Sequence, residues 1–416
     1  MNSTNGTAPA KTKSAFRNLV ESYGPGLIVA ATVFGAGSII VASRAATTAG
    51  YTFLWAILLA ACFMVLFTRM AAKIGCSSGK SMLDQIASLY GRPLALLFGI
   101  ACFATCTGFQ AGNNINTGLA LNALFPFLGT NAWILISFGG IMFLYWSSRN
   151  FYQLLEKAMM LLVLIMLLCF FGNVFFFLPQ IRGSELLRSL LPSRVAHWQL
   201  VVSLSATTFS IVGAASQSYF VQSKGWKRDY LAKANRDASV GIAILTAITC
   251  IILITAASVL PLGAQITNVP SIAALLKPLL GNFASILFIL GFFAAAFSSA
   301  LANAVIGATF LADSMGLGKG IDDFWVKFLA SLITALGMAV GLIFGSNPIQ
   351  LTIMAQGSTV IGAPLVAGVI LLLSNHPKVV GTDKNRRAVN LVASLAVVWL
   401  LFLSVNQLLL WAGIRL

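Results

Sequence analysis

Few groups in this chain could do conventional chemistry. Its 416 residues include ten acids, two histidines and six cysteines. The acids are Glu21, Asp84, Glu156, Glu185, Asp229, Asp237, Asp313, Asp322, Asp323 and Asp383, and each falls in a loop or near the end of an apolar span. His197 and His376 fall in loops. No Cys-x-x-Cys pair occurs, and small buried apolar residues explain Cys102 and Cys106, which share a helix face. No nucleophile–base pair or metal triad is visible, so an enzyme is not expected and no cofactor is implied. What remains is neutral. Gly35, Ala36, Gly37 and Ser38 interrupt the apolar stretch Gly24–Tyr51, and Gln110, Asn113, Asn114, Asn116 and Thr117 form a polar run in a later one.

Glycine costs about 1 kcal/mol per residue in a helix interior, so two glycines in three positions weaken a helix where lipid would penalise exposed backbone. Such irregular backbone survives at membrane depth only where protein or a water-lined cavity surrounds it. The stretch is therefore a candidate for a discontinuous helix with a mid-membrane binding site; close helix packing through small residues is the plainer alternative. A second interruption strengthens the first. Ala31-Thr32-Val33-Phe34 runs into the glycines, and Ala206-Thr207-Thr208-Phe209 runs into Ser210, Ile211, Val212 and Gly213. The two lie five spans apart, as an inverted five-helix repeat requires. Backbone N–H groups freed at such breaks can hold a carboxylate or another anion. Ser216, Gln217, Ser298, Ser299, Asn303 and Gln356 could add hydrogen bonds, although interhelical pairing explains each of them singly. Arg44 lies nine residues past Gly35, about 13 Å along a helix. It either snorkels to the outer interface or charges an external vestibule that draws in anions or zwitterions.

The elements that must hold these residues are membrane spans. The chain is 58% hydrophobic and 9% charged, against about 25% charged in soluble proteins, which excludes a soluble enzyme. Apolar runs of the required length, about 20 residues, occur near 25–48, 52–74, 93–123, 132–148, 155–178, 200–221, 239–261, 283–312, 325–344, 350–373 and 389–411. The net charge of +16 resides mainly in alternate loops: Arg69 to Arg92, Arg149 and Lys157, Lys224 to Arg236, Lys319, and Lys378 to Arg387. Those loops fall on the side of the N-terminus, although the opposite loop Arg182–Arg194 also carries three arginines. The N-terminus is therefore expected in the cytoplasm and the C-terminus outside, in the plasma or inner membrane. No basic, aromatic-bearing soluble surface is left for nucleic acid. Lys11, Lys13 and Arg17 precede a first helix that is expected to be retained, because no small-residue cleavage site ends it.

Along nearly its whole length the chain resembles the NRAMP divalent-metal transporters. Gly24-Pro25-Gly26 is similar to that family's opening GPG, and the spacing from there to Ala49-Gly50-Tyr51 is the same without a gap. Leu154-Leu155-Glu156-Lys157, Val221-Gln222-Ser223, Phe297-Ser298-Ser299-Ala300, and Gln356 with Pro364 resemble its fifth, sixth, eighth and tenth helices. The resemblance implies an all-α multi-pass membrane protein of about eleven transmembrane helices, with a LeuT-type inverted repeat and broken helices 1 and 6. Its parts would be a tail over 1–23, repeats over 24–178 and 200–373 joined by an outer loop over 179–199, and a loop with the eleventh helix over 374–416. The departures fall on the family's chemistry. Gly35-Ala36-Gly37-Ser38 stands where the family has its metal-binding DPGN, Ser210-Ile211-Val212 where it has MPH, and Gln110 and Asn113 where it has acids on the proton route.

The expected function is a secondary transporter moving a small polar or zwitterionic organic solute by alternating access. Its site is expected at Gly35, Ala36, Gly37, Ser38, Ser210, Ile211, Val212, Gly213, Gln110, Asn113, Asn114 and Gln356, with Arg44 in the vestibule and no metal ligand. The expected partners are that solute and the lipid bilayer. Hard dications want several oxygen ligands, commonly carboxylates, so manganese, cadmium and magnesium are expected to bind no more tightly than about 1 mM. An atypical divalent-metal transporter is the alternative. A non-transporting sensor is a third, disfavoured because the chain ends soon after its last helix.

Overall fold

The computed structural model describes residues 24–192, 197–264, 266, 269–318, 320–345 and 348–413. The expected tail over 1–23, with Glu21, and the loop cations Arg194 and Lys319 lie outside them. No strand occurs among the described residues. The first span is two helices, α1 (Pro25–Val33) and α2 (Ala36–Ala49), bent by 52°. Spans two to five are α3 (Leu54–Ser77), α5 (Arg92–Leu124), α6 (Thr130–Ser147) and α7 (Phe151–Phe177), with the short α4 (Met82–Tyr90) between the first two of these. After α8 (Gly183–Arg188), the sixth span is α9 (Trp198–Thr208) and α10 (Ile211–Ser223). Spans seven to nine are α11 (Leu231–Val259), α12 (Val269–Met315) and α13 (Phe324–Phe344). The tenth is α14 (Pro348–Ser358) with α15 (Ala363–Leu373), and after α16 (Pro377–Val380) the eleventh is α17 (Arg387–Trp411). Eight of these spans, or ten with the two bent pairs counted, are long and apolar enough to cross a membrane. α6, the fourth span, 18 residues long with Asn131 in its first turn, brings the count to eleven.

The two expected interruptions occur, each one or two residues earlier than the glycine and serine runs place them. Phe34 and Phe209 end their half-helices alike: ψ is 86° and 68°, and each N–H donates to the carbonyl four residues back, at 2.8 and 2.7 Å. Both rings are buried anchors. Phe34 meets Phe170 edge-on, and Phe209 lies against Phe63 and Phe67. The sequence echo thus marks one structural position used twice. The tenth span corrects the expected continuous helix, since α14 and α15 meet at 41° across Thr359–Gly362. Gly357, Gly362 and Pro364 explain it: glycine weakens the helix on both sides of the bend, and Pro364 cannot donate back to residue 360.

α5 is the central post, packed most extensively on α12 and also on α13, α6 and α14. α1 packs on α11, α12 and α7. Its contact with α11 is backbone to backbone, since a Cβ on Gly26 would lie 2.4 Å from the Asp237 carbonyl oxygen and one on Gly241 2.2 Å from that of Gly26. Small residues permit such an approach between membrane helices. Phe143, Leu168 and Leu395 are exposed on the outer helices, and Leu97 near the start of α5, where lipid would meet them.

Candidate functional site

At the first break the chain leaves the helix at Gly35, which is extended (φ −106°, ψ −178°). The Gly35 N–H turns back to the Val33 carbonyl (3.0 Å), so the carbonyls of Ala31 and Thr32 lose their helical donors. α12 replaces them. Ser298 Oγ donates to Ala31 O (2.9 Å) and Ser299 Oγ to Thr32 O (2.8 Å), while Asn113 Nδ2 donates to Ser299 Oγ (3.0 Å). Ala36, Gly37 and Ser38 form the first turn of α2, with the Ser38 N–H on Gly35 O (3.1 Å) and its hydroxyl 3.5 Å from Val33 O.

The sixth break is capped from within. Ser210 Oγ accepts from the Gly213 N–H (3.3 Å), and Ile211, Val212 and Gly213 make the first turn of α10. Just before it, the buried hydroxyls of Ser203, Ser205 and Thr208 have no partner among the described residues.

The polar run of α5 ties helices together. Gln110 Nε2 donates to Asn114 Oδ1 (3.1 Å) and Ala300 O (2.9 Å), and Asn114 Nδ2 to Thr334 O (2.8 Å). Asn116 Nδ2 reaches Thr352 Oγ1 at 2.9 Å, and Asn303 Nδ2 donates to Gln110 Oε1 at 3.0 Å. Across the membrane protein's core these bonds bind α5 to α12, α13 and α14. Interhelical pairing, the plainer of the two sequence readings, describes Gln110, Asn113, Asn114 and Asn116.

The glycines leave no open volume of their own. A Cβ on Gly35 would lie 2.9 Å from Ser299 Oγ and 3.3 Å from Asn113 Oδ1, one on Gly37 would overlap the Gln356 amide, and one on Gly213 would lie 2.5 Å from Val33 Cγ2. The space is beside them. A cavity of about 20 Å³ lies between the two breaks, lined by Thr32 and Val33 of α1, Thr105, Cys106 and Phe109 of α5, Ser210, Val212 and Gly213, Asn303 and Ile306 of α12, and Thr359 at the tenth bend. Of the expected site residues, Ser210, Val212 and Gly213 line it, and Gly35, Ala36, Gly37, Ser38, Ile211, Gln110, Asn113, Asn114 and Gln356 do not. Arg44 is half-buried on α2, two turns beyond the break, with no ion pair among the described residues. Cys106 and Asn303, which the sequence reading takes as a small buried residue and as one of several possible hydrogen-bonding groups, both line the cavity. A signal existed, since Cys106 stands one helical turn before Gln110, on the face of the polar run.

The buried acids sit at the end of the bundle where α1 begins. Asp237 accepts from the N–H groups of Gly24 (3.0 Å) and Gly26 (2.6 Å). Lys224 pairs with Glu156 beside Gly24. Asp313 accepts from Tyr219 OH (2.5 Å). Among the described residues no group of three or more His, Cys, Asp or Glu side chains could hold a metal ion.

Comparison with known proteins gives a consistent picture. The model of the natural resistance-associated macrophage protein-like (Nramp) family matches residues 26–410. A divalent metal cation transporter, MntH, of Granulibacter bethesdensis is 24% identical, covering 93% of this chain and 87% of its own. The crystal structure of the Eremococcus coleocola manganese transporter, in complex with an aromatic bis-isothiourea compound, superposes with a TM-score of 0.78 at 19% identity, over 96% of this chain and 88% of that one. A nucleobase-cation-symport-1 family transporter with bromovinylhydantoin bound superposes with a TM-score of 0.61 at 13% identity, over 89% and 80%.

Proposed function

Because the chain belongs to the natural resistance-associated macrophage protein-like family, and so is a multi-pass membrane transporter of LeuT-type fold and not an enzyme, we propose that its cargo is a divalent metal cation. The cation would pass through the cavity beside the first and sixth breaks. One observation carries this choice over the organic solute: the family model matches residues 26–410, nearly the whole chain. The cavity, at about 20 Å³, has room for one ion stripped of most of its water. The metal relatives agree in kind. The expectation of a small polar or zwitterionic organic cargo finds no such support.

The residues fit a cation through neutral donors. Ser210 and Asn303, each with a neutral side-chain oxygen, line the cavity with Cys106. Oxygen dipoles alone can replace a hydration shell, as in potassium filters, and desolvation is severe for a dication unless charge offsets it. The chain's own part is to bring these donors together from α5, α12 and the sixth break, and to hold the first break open by the serines of α12.

The test is a saturable manganese flux into liposomes containing the purified protein. Ser210→Leu, which fills the cavity, should abolish it, with a loss of about 0.5–2 kcal/mol of stability from the missing cap, whereas Ser210→Ala, which loses the same cap without filling the cavity, should retain flux. An absence of any dication flux from active, well-folded protein would overturn the proposal. One feature favours a neutral polar solute as a second reading: none of the lining residues is acidic. Competition of manganese flux by a panel of small polar solutes separates the two.

A further inference from the structure

We propose that Gln407, on the eleventh span, is a positioning residue for transport. It keeps an unused amide beside the tenth bend, and so lets that bend, which carries Thr359 on the cavity wall, change its angle; the inference rests on the proposal that the cavity carries the cargo. Thr359 lines the cavity, and its hydroxyl donates to Gln356 O (2.7 Å), which leaves the oxygen's lone pairs for a guest. The bend holds Thr359 only loosely. The N–H groups of Thr359, Val360 and Ile361 turn back three residues to Gln356 O (3.2 Å), Gly357 O (3.4 Å) and Ser358 O (3.2 Å), all longer than an ordinary backbone bond. α17 packs against the bend. Val360 shares an apolar cluster with Val202 and Ala206 of α9 and Leu403 of α17, and Ser404 Oγ lies 3.4 Å from Ile361 O. A Cβ on Gly357 would lie 2.8 Å from Gln407 Oε1, 3.1 Å from its Cδ and 3.2 Å from its Nε2, so the bare backbone of this glycine is the surface on which the amide rests.

That amide breaks the ordinary rule for buried polar groups. Gln407 is 4% exposed and its Oε1 has no donor among the described residues; the neighbouring Asn406 is 2% exposed and its Nδ2 has no acceptor among them. A buried amide atom without a partner costs free energy, and an apolar side chain of the same length would avoid that cost. The amide therefore does not serve the bend as it stands, at 41°. Its use is in the other arrangement. Alternating access moves one group of helices against another, and the long bonds of the bend are the ones that give way first. Each that breaks frees an N–H of residues 359–361 and the carbonyl it was bonded to. Oε1 can accept from the one and Nε2 can donate to the other, where bare backbone at membrane depth would be penalised. Gln407 thus lowers the cost of the second shape of the bend without touching the guest.

Gln407→Met, of similar length, is the test, with two readouts. Hydrogen exchange at the amides of Thr359, Val360 and Ile361 should slow by about fivefold or more, because the opened bend has lost its partner, while exchange in α3 stays as in wild type. The maximal rate of manganese flux into liposomes should fall by a similar factor at a nearly unchanged KM, since the cavity lining is intact. Thermal stability should hold or rise. Gly357→Ala, which pushes the amide off the backbone, should also slow the flux, and its combination with Gln407→Ala should be no slower than Gln407→Ala alone. Wild-type exchange and flux in Gln407→Met would reduce Gln407 to packing and overturn the proposal. So would a Gln407→Met protein that loses stability or does not fold, since the amide would then be serving the bend as it stands. Slower exchange at the bend in Gln407→Met, with no dication flux from the wild-type protein, would overturn the cargo reading and leave the role of Gln407 standing.

Discussion

Ser299 does two jobs at once. It donates to the freed Thr32 carbonyl and accepts from Asn113, so Ser299→Ala leaves a buried acceptor and a buried donor unmatched. Each such group costs about 1–3 kcal/mol, and the melting temperature in detergent should fall accordingly, with less loss in Ser299→Thr. The same serine decides what residue 35 can be. A Cβ at Gly35 meets Ser299 Oγ at 2.9 Å and its Cβ at 3.0 Å, so Gly35→Asp, the acid that the resemblance to DPGN implies for this position, should destabilise the protein. Combining it with Ser299→Gly should lose less than the sum of the two single changes, because the pair shares one space. Read from the sequence, the glycines are only weak points in a helix. They are positions where a neighbour's side chain takes the space, and no one-dimensional pattern says which. The cavity beside them was illegible for the same reason: its wall joins residues of α1, α5, α12 and both breaks that are distant in the chain, and Cys106 and Asn303 read singly as packing.

Elements were far more legible than side-chain contacts. Span length and apolarity are local, so a helix stands at each of the apolar runs, ten of them long and apolar enough to cross a membrane among the described residues, and the repeated Ala-Thr-x-Phe marks both breaks. The bend in the tenth span was equally local, written in Gly357, Gly362 and Pro364, but its apolar run is long enough to pass for one straight helix. What the pattern could not show is how α1 is held. Its start is fastened to α11 by Asp237, whose carboxylate takes the Gly24 and Gly26 N–H groups, and beside it by the Glu156–Lys224 pair. Asp237→Ala should therefore raise hydrogen-exchange rates at the first amides of α1 by an amount equivalent to about 1–3 kcal/mol, with little change in α3 or α17. Lys224→Met leaves Glu156 buried without its cation and should cost about 3–5 kcal/mol, read as a fall in thermal stability that Glu156→Gln in the same protein partly restores.

At the scale of the whole molecule, the charge of the loops sets how the bundle sits in the membrane. The cationic loops predict that the end carrying Gly24, Asp237 and Lys224 faces the cytoplasm. A cysteine placed at Gly79 should then resist a membrane-impermeant maleimide in intact cells and react after permeabilisation, and one placed at the exposed Phe127 should react at once. The reverse pattern would invert the assignment. The first break also bears on how the protein is made. The carbonyls of Ala31 and Thr32 depend on Ser298 and Ser299, 267 residues later in the chain. While the ribosome is still threading the intervening spans, those hydroxyls do not yet exist, and bare carbonyls are poorly tolerated in hydrocarbon. The newborn first span should therefore linger beside the insertion machinery or its chaperones until the eighth arrives, so that the last step of assembly is the closing of a clamp begun at the N-terminus.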